Sequence, residues 1–310
     1  MNDFKKLRII FMGTPEFAVA SLDILVKAGC NIVAVVTAPD KPAGRGMTMH
    51  QSAVKQYAVA NEIPCLQPVK LKSPDFLEML SDLKPDLQIV VAFRMLPEVV
   101  WDLPPMGTVN LHGSLLPQYR GAAPINWAII NGEHHTGVTT FKLQHEIDTG
   151  DILLSQRIDI NEQTTAGMLH DEMAVVGAKV LLETVQQLSE GAIQPKPQVF
   201  QDELKHAPKI FTETCEINWH KTVKSVYDLI RGLSPYPAAF TYLGKFKIKI
   251  FGASMEESMP ETATGSFETD GKTFLKFACS NGYIHLLDVQ LEGKKRMPIA
   301  DFLRGYRFEK

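Results

Sequence analysis

Leu7-Arg-Ile-Ile-Phe-Met-Gly-Thr-Pro-Glu16 contains an apolar run that a glycine and a proline bring to a stop. A run of that kind, without polar alternation, predicts a strand buried on both faces over residues 7–12. The next stretch, residues 16–28, carries Phe17, Leu22, Leu25 and Val26 near a helical period, and Gly29 closes it. Asn31-Ile-Val-Ala-Val-Val-Thr37 then reads as a second buried strand. Strand, helix and strand within about thirty residues make a βαβ unit. Such a unit demands a parallel sheet. Its first turn lacks Gly-x-Gly-x-x-Gly, which removes the main support for nicotinamide binding.

The same grammar continues outward. Residues 52–61 and 73–83 read as helices, the second with Ser73 as N-cap and Pro74 at its first position. Residues 65–68 and 87–93 read as strands. A strand from Thr108, a helix over 124–131, strands over 137–143 and 151–160 and a helix over 166–189 complete a first domain, residues 1–191. Its fold class is α/β, a doubly wound, mostly parallel, Rossmann-like sheet with late antiparallel strands. Residues 192–208, with Pro195, Pro197 and Pro208, lack periodicity and read as a linker. Residues 209–310 carry a helix over 223–233 and short strands over 239–243, 245–253, 264–268, 274–278 and 283–291. Strands of that length and spacing predict a small β-barrel.

Two domains are also what 310 residues suggest, and 45% hydrophobic residues supply ample core. The net charge of −3 excludes a generally basic protein. From residue 210 onward 14 Lys/Arg face 12 Asp/Glu, a balance of +2 that leaves −5 for residues 1–209. A mildly basic C-terminal part is compatible with a polyanionic partner. Cys30, Cys65, Cys215 and Cys279 are far apart, which argues against both a zinc site and a disulfide framework. The apolar run after Lys5, Lys6 and Arg8 is too short for a signal-peptide core. A cytoplasmic protein is expected.

Candidate chemistry centres on Thr108-Val-Asn-Leu-His-Gly-Ser-Leu-Leu-Pro-Gln-Tyr-Arg-Gly-Ala-Ala-Pro124. In an extended chain residues two apart share a face, so Asn110 and His112 project side by side. An amide can donate to an oxygen that gains charge, and an imidazole can move a proton. Asn-x-His alone fits a buried strand with a satisfied polar pair better than it fits a site. The third residue shifts the balance: Asp148, in Glu146-Ile-Asp-Thr-Gly-Asp151, can reach back and hold the imidazole in one tautomer. Residues 94–97, after the most apolar strand, can line a flat ligand. Residues 38–50 form a long loop in which Lys41 and Arg45 stand among prolines and glycines. Lys245, Lys247 and Lys249 alternate with Phe246, Ile248 and Ile250, which puts three ammonium groups on one outer face. His134 and His135 read as a surface turn, so no metal site is expected.

Phe11-Met-Gly-Thr-Pro-Glu-Phe-Ala18, Pro39-Asp-Lys-Pro-Ala-Gly-Arg-Gly46, the stretch Asn110 to Pro124 and Asp148-Thr-Gly-Asp151 together resemble the 10-formyltetrahydrofolate-dependent formyltransferases. The resemblance covers essentially the whole chain. It implies 10-formyltetrahydrofolate as formyl donor, and the amino group of methionine on initiator methionyl-tRNA as acceptor. It makes Asn110, His112 and Asp148 the catalytic set. Ser114, Leu115, Leu116 and Pro117 would contact the folate, with Phe93, Arg94 and Leu96 near the pterin. Lys41 and Arg45 would meet the tRNA acceptor end. An OB-like C-terminal barrel would follow the acceptor arm through Lys245, Lys247 and Lys249. Two other readings are a formyltransferase for a small amine such as an amino-sugar nucleotide, and a catalytically silent RNA-binding protein.

Overall fold

The apolar run at the N-terminus becomes the strand Arg8–Gly13, with Ile9 to Met12 wholly buried. In this computed structural model, which describes residues 3–43, 48–200 and 203–308, Arg8–Gly13 is an interior strand of a seven-stranded sheet. The spatial order is Ile152–Asp159, His135–Lys142, Thr108–His112, Leu87–Val91, Arg8–Gly13, Asn31–Val36, Cys65–Leu66. The five strands from Thr108–His112 to Cys65–Leu66 pair in parallel, and His135–Lys142 runs antiparallel to Thr108–His112. The doubly wound, mostly parallel class is therefore observed.

Close helix–strand packing follows from Gly13. A Cβ there would stand 2.7 Å from Ala18 Cβ and 3.0 Å from Val91 O, so any side chain would push the helix Glu16–Lys27 off the sheet. The chain leaves Arg8–Gly13 toward one edge of the sheet and returns to its other side at Leu87–Val91. In open α/β sheets ligands bind at the carboxyl ends of strands beside such a reversal. Apolar side chains of Ile10, Met12, Val36, Phe76, Leu80, Val90 and Val100 form one core cluster on this sheet.

The chain divides into two units. The first comprises Met1–Arg120, Gly137–Ile158 and His170–Lys205, and the second Gly121–Thr136, Asp159–Leu169 and His206–Lys310. Lys196 and Lys205, in the proline-rich stretch, bond to the first unit. Lys196 exchanges backbone bonds with Ile152, and the Lys205 N–H donates to Gln118 Oε1 at 2.8 Å. The loop expected over residues 38–50 is corrected in part: Lys41–Ala43 and Thr48–His50 pair as an antiparallel hairpin. Its base is anchored by Asp40, whose carboxylate accepts from Lys55 at 2.5 Å and Gln67 at 2.8 Å.

In the second unit the short strands form a six-stranded antiparallel sheet. Its order is Ala239–Leu243, Phe246–Glu256, Tyr283–Leu291, Leu275–Ala278, Phe267–Thr269, with Met297–Pro298 also pairing Tyr283–Leu291. Register shifts on either side of Gly252 mark bulges, which bend the long strand and curl the sheet into a half-barrel. The helix Val223–Leu233 drops Val226, Ile230 and Leu233 into the concave side against Ile248, Ile250, Phe277 and Ile284. Trp219 stacks on Phe277 with ring centroids 4.5 Å apart and donates to Thr241 Oγ1 at 3.0 Å. The terminal helix Ile299–Gly305 was not anticipated, because seven residues offer too little periodicity to read.

Candidate active site

The strand Thr108–His112 forms because β-branched and apolar residues sit between two buried neighbours, Leu87–Val91 and His135–Lys142. It carries Asn110 opposite Val90 and Phe141, and His112 opposite Thr139. Asn110 is half-buried, and among the described residues its side-chain amide has no hydrogen-bond partner. His112 is only 7% exposed, its ring edge-on to Phe141 with centroids 6.5 Å apart.

His112 Nε2 lies 2.9 Å from the backbone oxygen of Tyr119. A carbonyl only accepts, so Nε2 carries a proton and donates it. The exchangeable proton therefore belongs to Nδ1. That atom faces Asp148 Oδ2 at 3.9 Å, beyond a hydrogen bond but within reach of charge attraction. Imidazole and acid thus converge from separate segments. The expectation that Asp148 fixes the tautomer is corrected, since the Tyr119 carbonyl is the group at hydrogen-bonding distance.

Three residues here hold the left-handed backbone that L side chains disfavour: Ala92 at φ +47°, Tyr119 at +59° and Asp148 at +54°. Such outliers persist only where the surroundings enforce them, and they concentrate at functional sites. The enforcing contacts are visible. Tyr119 N–H donates to Lys205 O at 2.6 Å. Gln198 Nε2 donates to Asp148 O at 2.9 Å and to Gly150 O at 2.8 Å. A Cβ at Gly150 would fall 1.7 Å from Lys142 O, so this turn admits only glycine. Gln198 Oε1 in turn accepts from Arg120 Nε at 3.1 Å and Nη2 at 2.6 Å, and the guanidinium lies 5.1 Å from the Phe200 ring centre. Burial pulls the Arg120 pKa below its ordinary value, against the opposing pull of the Asp148 and Glu146 carboxylates.

The loop after His112 is braced internally. Ser114 is fully buried and donates to Gln118 O at 2.6 Å. Thr139 Oγ1 donates to Ser114 O at 2.7 Å and accepts from Leu116 N–H at 3.2 Å. Leu116 is buried, while Leu115 and Pro117 are half-buried. The Ser114 hydroxyl is thus engaged within the loop.

Clefts open in the first unit among the described residues. One, of about 670 Å³, is lined by Leu71, Lys72, Arg94, Leu96, Val99 and His145 among others. Another, of about 470 Å³, shares His145 and adds Arg120, Glu146, Thr149, Gln198 and Phe200. Volumes in this range suit a small-molecule ligand. Of the residues expected near a flat ligand, Arg94 and Leu96 line the larger cleft. Phe93 packs against the core cluster instead. Arg94 donates to the carbonyls of Pro68 and Val69, the latter at 3.0 Å, so two chain segments orient its guanidinium.

The expected basic residues are dispersed. Lys41 is exposed on the hairpin, and Arg45 lies outside the described residues. Lys245 precedes its strand and is exposed beside Gly244. Lys247 sits 4.0 Å from the Phe240 ring centre, and Lys249 donates to Pro237 O at 3.1 Å. The expected row of three solvent-facing ammonium groups is thus corrected, because Lys247 and Lys249 are half-buried and occupied by Phe240 and the Pro237 carbonyl. Tyr119, Thr139, Arg120 and Gln198 were not anticipated. Tyr119 and Arg120 stand inside the quoted motif, but nothing in the sequence says that a backbone carbonyl is the working group. Gln198 sits in an aperiodic segment that carries no signal. Among the described residues no group of three or more His, Cys, Asp or Glu is arranged to hold a metal ion, and no helix is long and apolar enough to cross a membrane.

The sequence matches two family profiles, described as formyl transferase over residues 5–185 and formyl transferase, C-terminal domain, over residues 209–307. A methionyl-tRNA formyltransferase of Bacteroides fragilis is 52% identical over 308 residues, covering 97% of this chain and 95% of the relative. One from Flavobacterium johnsoniae is 49% identical over 308 residues, covering 98% of each. Among solved structures, an N-formyltransferase from Helicobacter canadensis, bound to folinic acid and dTDP-3-aminofucose, superposes with a TM-score of 0.69 at 19% identity, covering 94% of this chain and all of the other. HypX from Aquifex aeolicus with tetrahydrofolic acid gives 0.65 at 19% identity, covering 98% of this chain and 48% of that one. At such identities the likeness concerns the fold.

Proposed function

The chain belongs to the formyltransferase family, and from that premise we propose that it transfers the formyl group of 10-formyltetrahydrofolate to the amino group of methionine on initiator methionyl-tRNA. The observation that carries this reading is identity of about half the residues, along nearly the full length of both chains, with methionyl-tRNA formyltransferases. We assign the transfer to residues 1–191, the connection to 192–208 and acceptor-arm binding to 209–310. The reaction belongs in the cytoplasm, where charged initiator tRNA is found.

The larger cleft fits a folate. Leu71, Leu96 and Val99 offer an apolar surface for a flat bicycle, and Lys72 and Arg94 offer cations for a carboxylate tail. When bound, the folate supplies a formyl group on N10 as an activated acyl donor. Asn110 donates its free amide to an oxygen that gains negative charge, a contribution of about 2.7–4 kcal/mol where such a donor is well placed. His112 moves a proton at Nδ1 while Tyr119 keeps Nε2 engaged. The Asp148 carboxylate faces that Nδ1 from 3.9 Å. Ser114 to Pro117, laced to Thr139, keeps His112 in register.

Recognition of tRNA draws on Lys41 and Arg45 at the acceptor end and on the exposed Lys245 along the arm. The test is incubation with 10-formyltetrahydrofolate and charged initiator tRNA, with formylmethionine read by mass spectrometry. Formylmethionine on initiator tRNA is the expected product. Transfer to an amino-sugar nucleotide with none to the tRNA would overturn the reading.

A further inference from the structure

Gln198 makes four hydrogen bonds around the acidic turn. Its amide nitrogen donates to the two carbonyls that bracket Thr149, those of Asp148 and Gly150. Its amide oxygen receives two N–H groups of Arg120. Both ends are thus in use, and each end demands a different polarity. A carboxylate could accept from Arg120 but could not donate to two carbonyls. A hydrocarbon could do neither.

The turn needs such a clamp. Asp148 sits at φ +54°, a conformation costing of order 1–3 kcal/mol unless its surroundings impose it. Gly150 is pressed against Lys142 O with no room for a side chain. Holding both carbonyls of this turn fixes the direction in which the Asp148 carboxylate leaves the backbone. Its 3.9 Å separation from His112 Nδ1 depends on that direction.

We propose that Gln198 is a positioning residue for formyl transfer, setting Asp148 against His112 through the backbone of the 148–150 turn. Arg120, stacked over Phe200, orients Gln198 in turn. The inference rests on Asp148 belonging to the catalytic set. It assigns a role in the reaction to a segment that, by composition, reads as a connector.

A double-mutant cycle tests it, using full-length enzyme, 10-formyltetrahydrofolate and charged initiator tRNA. The variants are Gln198→Ala, Gln198→Glu, Asp148→Asn and Gln198→Ala with Asp148→Asn. Asparagine tolerates the left-handed backbone at 148, so that variant changes charge and leaves the turn intact. Gln198→Ala and Gln198→Glu should each lower kcat by about 10- to 100-fold, the scale of a small misplacement of a reacting group. KM for donor and tRNA should stay within about threefold, and each variant should remain folded with at most a modest fall in melting temperature. In the Asp148→Asn background Gln198→Ala should cost nothing more, since residues acting as one unit are not additive. Wild-type kcat in both Gln198 variants would overturn the inference, as would a full additive loss in the double variant or loss of folding in both single ones. Wild-type kcat in Asp148→Asn would instead remove the catalytic reading on which the inference stands.

Discussion

The backbone oxygen of Tyr119, 2.9 Å from Nε2 of His112, decides which ring nitrogen works. Because the carbonyl accepts a proton-bearing nitrogen, the neutral imidazole is the Nε2–H tautomer and Nδ1 is the basic atom. Nitrogen-15 NMR on histidine-labelled enzyme, with His112→Gln to assign the signal, should show this tautomer at alkaline pH. A dominant Nδ1–H tautomer would reverse the roles of the two nitrogens.

Thr139 anchors the loop that follows the histidine. Its hydroxyl, wholly buried, satisfies Ser114 O and Leu116 N–H at once. Thr139→Val keeps the shape and leaves both backbone groups unpaired, which costs about 1–3 kcal/mol per buried group. Denaturant unfolding should show the stability loss, and kcat should fall with it as His112 loses register. An unchanged midpoint together with unchanged kcat would show that the loop holds itself.

Acid should loosen the second unit through Glu256. Its carboxylate accepts from His285 Nε2 at 2.5 Å and from Ser258 at 2.7 Å, with Lys276 at 3.3 Å, and these bonds hold its pKa down at about 2. A lowered folded-state pKa contributes stability that is present above the ordinary value near 4.5 and lost as pH falls toward about 2. Thermal melts across that window should fall more steeply for the native protein than for Glu256→Gln. Because Glu256 is partly exposed, solvent screening reduces the effect. Parallel slopes would remove Glu256 from the account.

Salt dependence separates the lysines. Lys245 is exposed, its ammonium 5.4 Å from the ring centre of its neighbour Phe246, whereas Lys249 is half-buried and donates to Pro237 O. Each phosphate contact contributes roughly 0.7–0.9 to the slope of log affinity against log salt. Lys245→Ala should lower the slope for initiator tRNA by about that amount, and Lys249→Ala should leave it in place while lowering stability. Equal slopes for Lys245→Ala and the native protein would exclude Lys245 from the interface.

Much of this architecture was legible in residue order. Buried strands such as Arg8–Gly13 and Leu87–Val91 announce themselves as unbroken apolar runs, and the helix Val223–Leu233 falls where its period puts it. Asn110, His112 and Asp148 stood out because strand geometry pairs the first two and a glycine turn presents the third. Contacts that pass through the backbone were not legible. Any residue at 119 offers a carbonyl, and only the fold brings that oxygen to His112. Gln198 is separated by 50 residues from the turn it clamps. The lysine stripe failed for a related reason: alternation predicts a face and says nothing of the rings and carbonyls already on it.

Single-turnover formylation of charged initiator tRNA, compared between the native protein and His112→Ala, bears hardest on the whole account. The native protein should form formylmethionine, and His112→Ala should lose about 10²–10⁴ in the rate of that step while binding tRNA with unchanged affinity. An undiminished rate in His112→Ala would contradict the site as a whole.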